Sequence, residues 1–342
     1  MSRHESLESA KKNKNDEFYT QYSDIEKEVL QYDKLNFREK TVYCPCDSLT
    51  SNFWKFFVDN FAELGINKLI ASHYEDKASQ VSAHIYDGVN INEIIIEGNG
   101  DFRSESVKPF WDSADLIVTN PPFSLFKEFI PLVMKNGNKK CLIMGSMNAV
   151  SYKDIFPLIK NDLLWPGNKF NGTAMLFRIP DNYQATGTKT KVTPNGDRLV
   201  AVPAVWYTNL DHNNRYKDIE FHETYSPGKY QKYDNFEAIN INKKDMIPNN
   251  YLPCWYKCEH HSTCIYAINN GNAPDFTNCQ NKCNGVMGVP ISFISDYNPK
   301  MFEILGTMNT PIVDNRKIYK RIFIRWRNSW CHTAVNRTDK YF

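Results

Sequence analysis

The chain has 342 residues, of which 23% are charged and 42% hydrophobic, an ordinary globular composition with room for two domains. No run of about 18 apolar residues is present, which argues against a membrane-spanning helix, and the opening MSRHESLESAKKNKNDE lacks the apolar stretch of a secretory signal. A balance of 41 basic against 39 acidic residues leaves +2, so any case for a nucleic-acid partner must be local.

In chain order, residues 1–15 read as a flexible polar tail. A capped short helix follows at Ser23, Asp24, Ile25, Val29 and Leu30. From residue 40 to about 165, strand-like runs (Thr41–Cys46, Lys68–His73, Glu93–Glu97, Asp115–Thr119, Lys140–Gly145) alternate with helix-like stretches at Ser51–Leu64, Ser124–Lys135 and Tyr152–Lys160. This alternation predicts βαβ units and an α/β fold with a doubly wound, mostly parallel sheet. Ligands of such sheets collect beyond the carboxyl ends of the strands, so the residues just after each strand matter most. Beyond 165, strand-like runs at 173–180, 200–208, 236–241 and 289–294 lack clear helices between them. The expected organisation is a catalytic domain at 16–165 and a β-rich region at 166–327, then a tail at 328–342.

One tetrapeptide carries chemistry. Strand Asp115–Thr119 runs directly into Asn120-Pro121-Pro122-Phe123. An adenine N6 lone pair is delocalised into the ring and is a poor nucleophile. The Asn120 side-chain oxygen and the Pro121 carbonyl could accept both amino hydrogens and turn that lone pair toward a methyl donor. Two prolines restrict the loop and preorganise these acceptors. Phe123 offers a face for a base swung out of its duplex. A strand-ending Asn-Pro turn with a buried Phe is the bland alternative.

These residues bring a resemblance into view. Asp16-Glu17-Phe18-Tyr19-Thr20, Val42-Tyr43-Cys44-Pro45-Cys46-Asp47, Ser51-Asn52-Phe53-Trp54, Gly100-Asp101-Phe102-Arg103 and the NPPF run resemble the EcoRI-type adenine-specific DNA methyltransferases. So do Trp206-Tyr207-Thr208-Asn209-Leu210, Tyr233-Asp234-Asn235-Phe236 and Gly285–Ile291. The resemblance implies a class I fold that uses S-adenosylmethionine and modifies a flipped adenine in double-stranded DNA. It further implies that Phe18 and Thr20 close the methionine end of the cofactor and that Asp47 lies near its methionine part. Glu75 would take the ribose hydroxyls, while Asp101 and Phe102 would meet the adenine. The chain departs from many methyltransferases in having Asp47-Ser48-Leu49-Thr50 where a Gly-rich loop is common. The 166–327 region would then recognise DNA.

Pro45-Cys46 is the dipeptide that cytosine-C5 methyltransferases use as nucleophile. Here it follows the first strand, where cofactor is expected, so Cys46 reads as a structural or cofactor-lining residue. Late in the chain, Arg321, Arg325 and Arg327 share one face of an extended run whose other face holds Ile322, Ile324 and Trp326. The run suits phosphate contact or a charge-protected edge strand equally. Lys189 and Lys191 are weaker candidates for phosphate contact.

Nine cysteines with no export signal point to reduced thiols. Five fall in a stretch, about 250–284, where the resemblance is interrupted. Cys254, Cys258, Cys279 and Cys283 form two Cys-x3-Cys pairs, with His261 or Cys264 as substitutes, and read as one structural zinc site or a metal-free thiol-rich loop.

The expectation is therefore a cytoplasmic, site-specific DNA adenine-N6 methyltransferase. It would be either the modification partner of a restriction system, whose endonuclease acts on the same site without a stable complex, or a solitary enzyme. The rivals are methylation of RNA adenine or another amino group, and a DNA-binding shell without turnover.

Overall fold

The computed structural model describes residues 19–135, 137, 139–168, 174–179, 190–226, 228–233, 236–249, 251, 285–307 and 321–327. Phe18, Lys189, both expected tails and the whole cysteine block from Cys254 to Cys283 lie outside these residues. The chain divides into two compact units, residues 1–212 and 213–342.

The first unit is built on an eight-stranded sheet. Its centre is β1 (Thr41–Cys44), β2 (Lys68–Ala71), β5 (Leu116–Thr119) and β6 (Lys140–Ser146), in the order β2-β1-β5-β6 and all parallel. Strands β1 and β5 are buried at every position, which is why they read as unbroken apolar runs rather than alternating ones. The chain moves outward from β1 to β2 and then returns to wind the other way through β5 and β6. The winding direction thus reverses at the seam between β1 and β5, as the expected doubly wound α/β fold requires.

Helices cover both faces. On one, α1 (Tyr22–Val29), α2 (Asn52–Asp59) and α3 (Phe61–Leu64) bury Ile25, Phe53, Phe56 and Phe57 against Val42, Cys44, Leu69 and Leu116. On the other, Tyr43 meets Phe110 and Trp111 of α4 (Lys108–Ser113), and Trp111 packs on Phe129 of α5 (Phe126–Lys135). Ser51 caps α2 by accepting from the Trp54 amide at 3.0 Å. The expected single helix over 51–64 breaks at Asn60, whose side-chain amide takes the Phe56 carbonyl at 2.8 Å in competition with the helix ladder. A last short helix, α6 (Phe156–Lys160), starts with Pro157 in its first turn.

Antiparallel strands finish the sheet on both sides. Beyond β2 lie β3 (Gln80–Tyr86) and the edge strand β4 (Ile91–Glu97), a hairpin of which sequence reasoning found only the second half. Beyond β6 lie β11 (Ala204–Thr208) and β7 (Trp165–Pro166), so the first unit continues past 165 to His212. The apolar run at 200–208 is divided by Pro203. Its first part, β10 (Arg198–Val202), pairs with β8 (Met175–Arg178) and β9 (Thr190–Val192) in a separate three-stranded sheet.

The second unit holds a five-stranded sheet ordered β12-β13-β14-β16-β15. The strands are β12 (Lys232–Tyr233), β13 (Phe236–Asn240), β14 (Met287–Pro290), β15 (Phe302–Thr307) and β16 (Arg321–Trp326). Among the described residues no α-helix follows α6, in line with a β-rich second half. No helix among them is long and apolar enough to cross a membrane.

Candidate active site

The site is assembled from the carboxyl ends of β1, β2 and β5, at the seam where the winding reverses. Two backbone bonds tie the first two ends together: the Ser72 amide donates to the Cys44 carbonyl at 3.2 Å, and the Asp47 amide to the Ser72 carbonyl at 2.9 Å. Asp47 is thereby held beside β5, where the Thr119 hydroxyl donates to its Oδ2 at 2.8 Å. The carboxyl is only 7% exposed, and burial pushes its pKa up to about 7 against the opposing hydrogen bonds from Thr119 and Ser51. A partly protonated acid at a strand end is poised to meet a cation. Burial, reinforced by this neighbouring carboxylate, also pushes the Cys46 thiol up. It stays protonated near neutrality, the wrong state for a nucleophile, in keeping with a structural or lining role.

Asn120, directly after β5, donates through Nδ2 to the Thr20 hydroxyl at 3.1 Å. Pro121 is buried. Pro122 leads into a 3-10 turn at Phe123–Leu125, where its carbonyl accepts from the Leu125 amide at 2.9 Å. Phe123 is half-buried and meets Phe177 of β8 edge-on, with ring centroids 6.3 Å apart. The tetrapeptide's backbone is thus fixed by its two prolines and the turn that follows.

The remaining expected cofactor residues fare differently. Glu75 is exposed, and its amide donates to the Asn99 carbonyl at 3.0 Å, which fixes the loop after β2 against the loop after β4. Gly100 sits at φ +71°, and a Cβ there would collide with the His73 carbonyl and the Val81 side chain, so only glycine allows this approach. Nδ1 of His73 is buried in this neighbourhood without a hydrogen-bond partner. Asp101 faces Arg103 bidentately at 2.6 and 2.9 Å, which holds its carboxyl below the usual range. The same guanidinium reaches Glu128 at 2.6 Å. Phe102 is 5% exposed and packs on Phe129, with its carbonyl taking the Trp111 indole N–H at 3.0 Å. Its ring belongs to the core.

The donor set fits S-adenosylmethionine: a buried carboxyl for an ammonium, an exposed one for hydroxyls, and a buried imidazole nitrogen still able to bond. Sequence reasoning missed Thr119 and His73. Thr119 looked like an ordinary β-branched strand residue, and only pairing β1 with β5 reveals its partner.

The arginine strand, in the second unit, is interior rather than an edge: β16 pairs with both β14 and β15. Arg321 donates to the Ile241 carbonyl and to Asn242, Arg325 pairs with Glu303 at 2.8 Å, and Arg327 donates to the Phe302 carbonyl at 2.9 Å. Lys191 is exposed on β9. Among the described residues no group of three or more His, Cys, Asp or Glu could hold a metal. The zinc expectation falls on the cysteine block outside them.

The family model described as "Adenine-specific methyltransferase EcoRI" matches residues 6–254. Among curated relatives, the Type II methyltransferase M.EcoRI of Escherichia coli is 36% identical over 87% of this chain and 88% of its own. The Type II methyltransferases M.MgeORF184P of Mycoplasma genitalium and M.MpnI of Mycoplasma pneumoniae are 34% and 33% identical, each over 92% of this chain and 90% of theirs. No solved structure matches. An NPPF loop beside a buried acid at the reversal of a doubly wound sheet, with likeness running through both units, leads to one conclusion: the chain belongs to the EcoRI adenine-specific methyltransferase family.

Proposed function

We propose that the chain transfers a methyl group from S-adenosylmethionine to N6 of an adenine turned out of double-stranded DNA at a specific sequence. The observation that carries this reading is Asn120-Pro121-Pro122-Phe123 at the carboxyl end of β5, one residue beyond the Thr119 that binds buried Asp47. The cofactor, when bound, supplies a methyl on a positively charged sulfur, which departs as a neutral thioether. Asp47 would neutralise the cofactor's ammonium and Glu75 would accept its ribose hydroxyls. Asn120 and the Pro121 carbonyl would accept hydrogen bonds from the two N6 hydrogens, one of which would leave as a proton to solvent once the nitrogen carries the methyl, and Phe123 would stack on the extruded base. Asp101 and Phe102 would act at the adenine end through backbone and shape, since the carboxylate is paired with Arg103 and the ring is packed. Phe18 and Thr20 would close the methionine end.

The region at 166–327 is proposed to recognise DNA. Each guanidinium offers five N–H donors, and the bonds named above use two from Arg321 and one from Arg325, which leaves donors that could meet phosphates; Arg327 is proposed beside them on the same strand. The Type II names of the relatives support a restriction-modification setting in the cytoplasm, with an endonuclease acting on the same site. Cysteine spacing supports one structural zinc at Cys254, Cys258, Cys279 and Cys283. Modified-base sequencing of DNA and RNA from a host expressing the chain tests the central reading. N6-methyladenine within one recurring DNA sequence is expected, and modification confined to RNA, or none at all despite cofactor binding, would overturn it.

A further inference from the structure

The small sheet β8-β10-β9 has two unlike faces, because side chains alternate along each strand. On one face Val200 and Phe177, paired across β10 and β8, are fully buried. Phe177 there meets Phe123 of the target tetrapeptide edge-on. On the other face Lys191, Leu199 and Arg178 form one cross-strand row, since Leu199 pairs with Lys191 on one side and with Arg178 on the other. Both cations are exposed. The three strands carry Arg178, Lys191 and Arg198 and no acid. The one carboxylate of the turn between β9 and β10, Asp197, pairs with Arg178 at 3.0 Å.

We infer that this sheet is a DNA-contacting surface of the first unit, with Lys191 and Arg178 on phosphates that flank the extruded adenine. The inference rests on the proposed modification of an adenine turned out of duplex DNA. Neighbouring strands lie about 4.8 Å apart, so the row from Lys191 to Arg178 spans about 10 Å. Each strand of a duplex carries one charge per ~3.4 Å of helix axis, which sets about three phosphates along such a row. Asp197 does not use up the guanidinium. Its ion pair with Arg178 is solvent-exposed on both sides, and such pairs contribute about 1 kcal/mol or less.

The hairpin of β9 and β10 reaches outward and holds its shape. All three residues of β9 are exposed, and Val192 is 68% exposed although it lies on the face of Val200 and Phe177, so this end of the sheet extends past the core. The turn is tied at three points. The Gly196 amide donates to the Thr193 carbonyl at 2.9 Å, the Thr193 amide to the Asp197 carbonyl at 2.9 Å, and the Asp197 amide to the Thr193 hydroxyl at 3.0 Å. At the opposite edge, Arg178 of β8 exchanges two backbone bonds with Tyr19, at 3.0 and 3.1 Å, which anchors the sheet to the segment before α1. A two-stranded ribbon fits the major groove of DNA. Here the ribbon belongs to the same sheet that packs Phe177 on Phe123, so phosphates held by its outer row stand at a set distance from the proposed target site.

The test measures how the full chain, Lys191→Gln, Arg178→Gln and the double variant bind a labelled duplex that carries the sequence found by modified-base sequencing. Salt is varied from about 50 to 200 mM, and calorimetry reads the affinity for S-adenosylmethionine. Each lost contact should lower the log–log slope by about 0.9, so that affinity falls about 3.5-fold less across this salt range, and about 12-fold less in the double variant. Neutral methylphosphonates, placed singly at the phosphates around the target adenine, locate the contact. At one of these positions the substitution should weaken the parent and leave Lys191→Gln unaffected. Slopes equal to the parent's in both single variants overturn the proposal. So does a Lys191→Gln variant that responds like the parent to every one of those methylphosphonates, because its contact would then lie away from the target. A loss of cofactor affinity as large as the loss of DNA affinity overturns it too, since the side chains would then serve the fold. A parent chain that leaves the duplex unbound, or binds it with cofactor and never methylates it, overturns the functional reading itself. A parent that binds and methylates, beside variants that keep its slope, overturns this inference alone.

Discussion

Replacing Asp47 by Asn sets stability against cofactor binding, and the structure gives the sign of each. The carboxyl titrates near 7 in the folded chain and near 3.8 when unfolded. Between those values the native state holds a proton that the unfolded state has released. The contribution of Asp47 to stability is therefore greatest below about pH 4, falls as pH rises toward 7, and levels off once both states are ionised. A difference of about three units, at about 1.36 kcal/mol each, puts the full loss at about 4 kcal/mol. Asn is a neutral isostere whose oxygen can still accept from Thr119, so Asp47→Asn should recover about 2–4 kcal/mol at pH 8 and almost nothing at pH 4. Urea unfolding of parent and variant across this range reads the difference directly.

Cofactor affinity should move the other way. An ammonium beside Asp47 favours the ionised carboxyl, so the parent should bind S-adenosylmethionine more tightly as pH climbs through about 7. Asp47→Asn should bind weakly and lose that dependence. A variant less stable than the parent at pH 8 would refute the desolvation argument. One that is more stable yet binds cofactor normally would leave the physics intact and move the ammonium elsewhere.

Asn120→Ala should lower turnover by about two to three orders of magnitude with little change in cofactor affinity, measured by single-turnover methylation and calorimetry. Phe123→Ala should weaken holding of the extruded base by about 1–3 kcal/mol, and less when the target adenine sits in a mismatch. Equal losses on matched and mismatched DNA would mean that the ring only packs against Phe177. Changing Arg321, Arg325 and Arg327 to Gln should reduce the log–log salt slope of DNA binding by about 0.9 for each phosphate that is no longer neutralised. An unchanged slope would mean that those guanidiniums serve the fold, through partners such as Ile241, Asn242, Glu303 and Phe302. Elemental analysis of chelator-free protein should find about one zinc per chain if the cysteine pairs share an ion.

What could be read from the sequence follows from how each element is buried. Strands β1, β5 and β6 stood out because burial on both faces writes them as apolar runs. The hairpin strand β3 did not, since Ser82 and His84 interrupt it and its neighbour β4 is largely exposed. Asn60 and Pro203 divided runs that looked continuous, and Pro203 sends β10 and β11 to different sheets. The tetrapeptide Asn120–Phe123 proposed for catalysis was legible because its residues are consecutive. Its supports were not, because Thr20 and Asn120 are 100 positions apart, and Asp47 and Thr119 are 72 apart.

Those two long-range bonds make one site from what sequence presents as separate motifs. Strands β1 and β5 run parallel side by side, with Val42 opposite Leu116 and Tyr43 opposite Ile117, so their following residues emerge together. Thr119 gives its hydroxyl to the carboxyl of Asp47, proposed for the cofactor, while its peptide continues into Asn120, proposed for the target base. Thr20 accepts from the Asn120 side chain, from a segment pinned to β8 and α2. Methyl transfer needs donor and acceptor atoms in line within a narrow distance. A Gly-rich loop after β1 is not the only way to place the donor. Here Ser51 caps α2 and Asp47 is anchored to both neighbouring strand ends, so the loop of Pro45 to Thr50 is held by side-chain and backbone bonds instead of being shaped by glycine. That substitution explains the buried acid: a carboxyl used as an anchor must sit where the strands end, and the desolvation it suffers there leaves it ready to receive a cation.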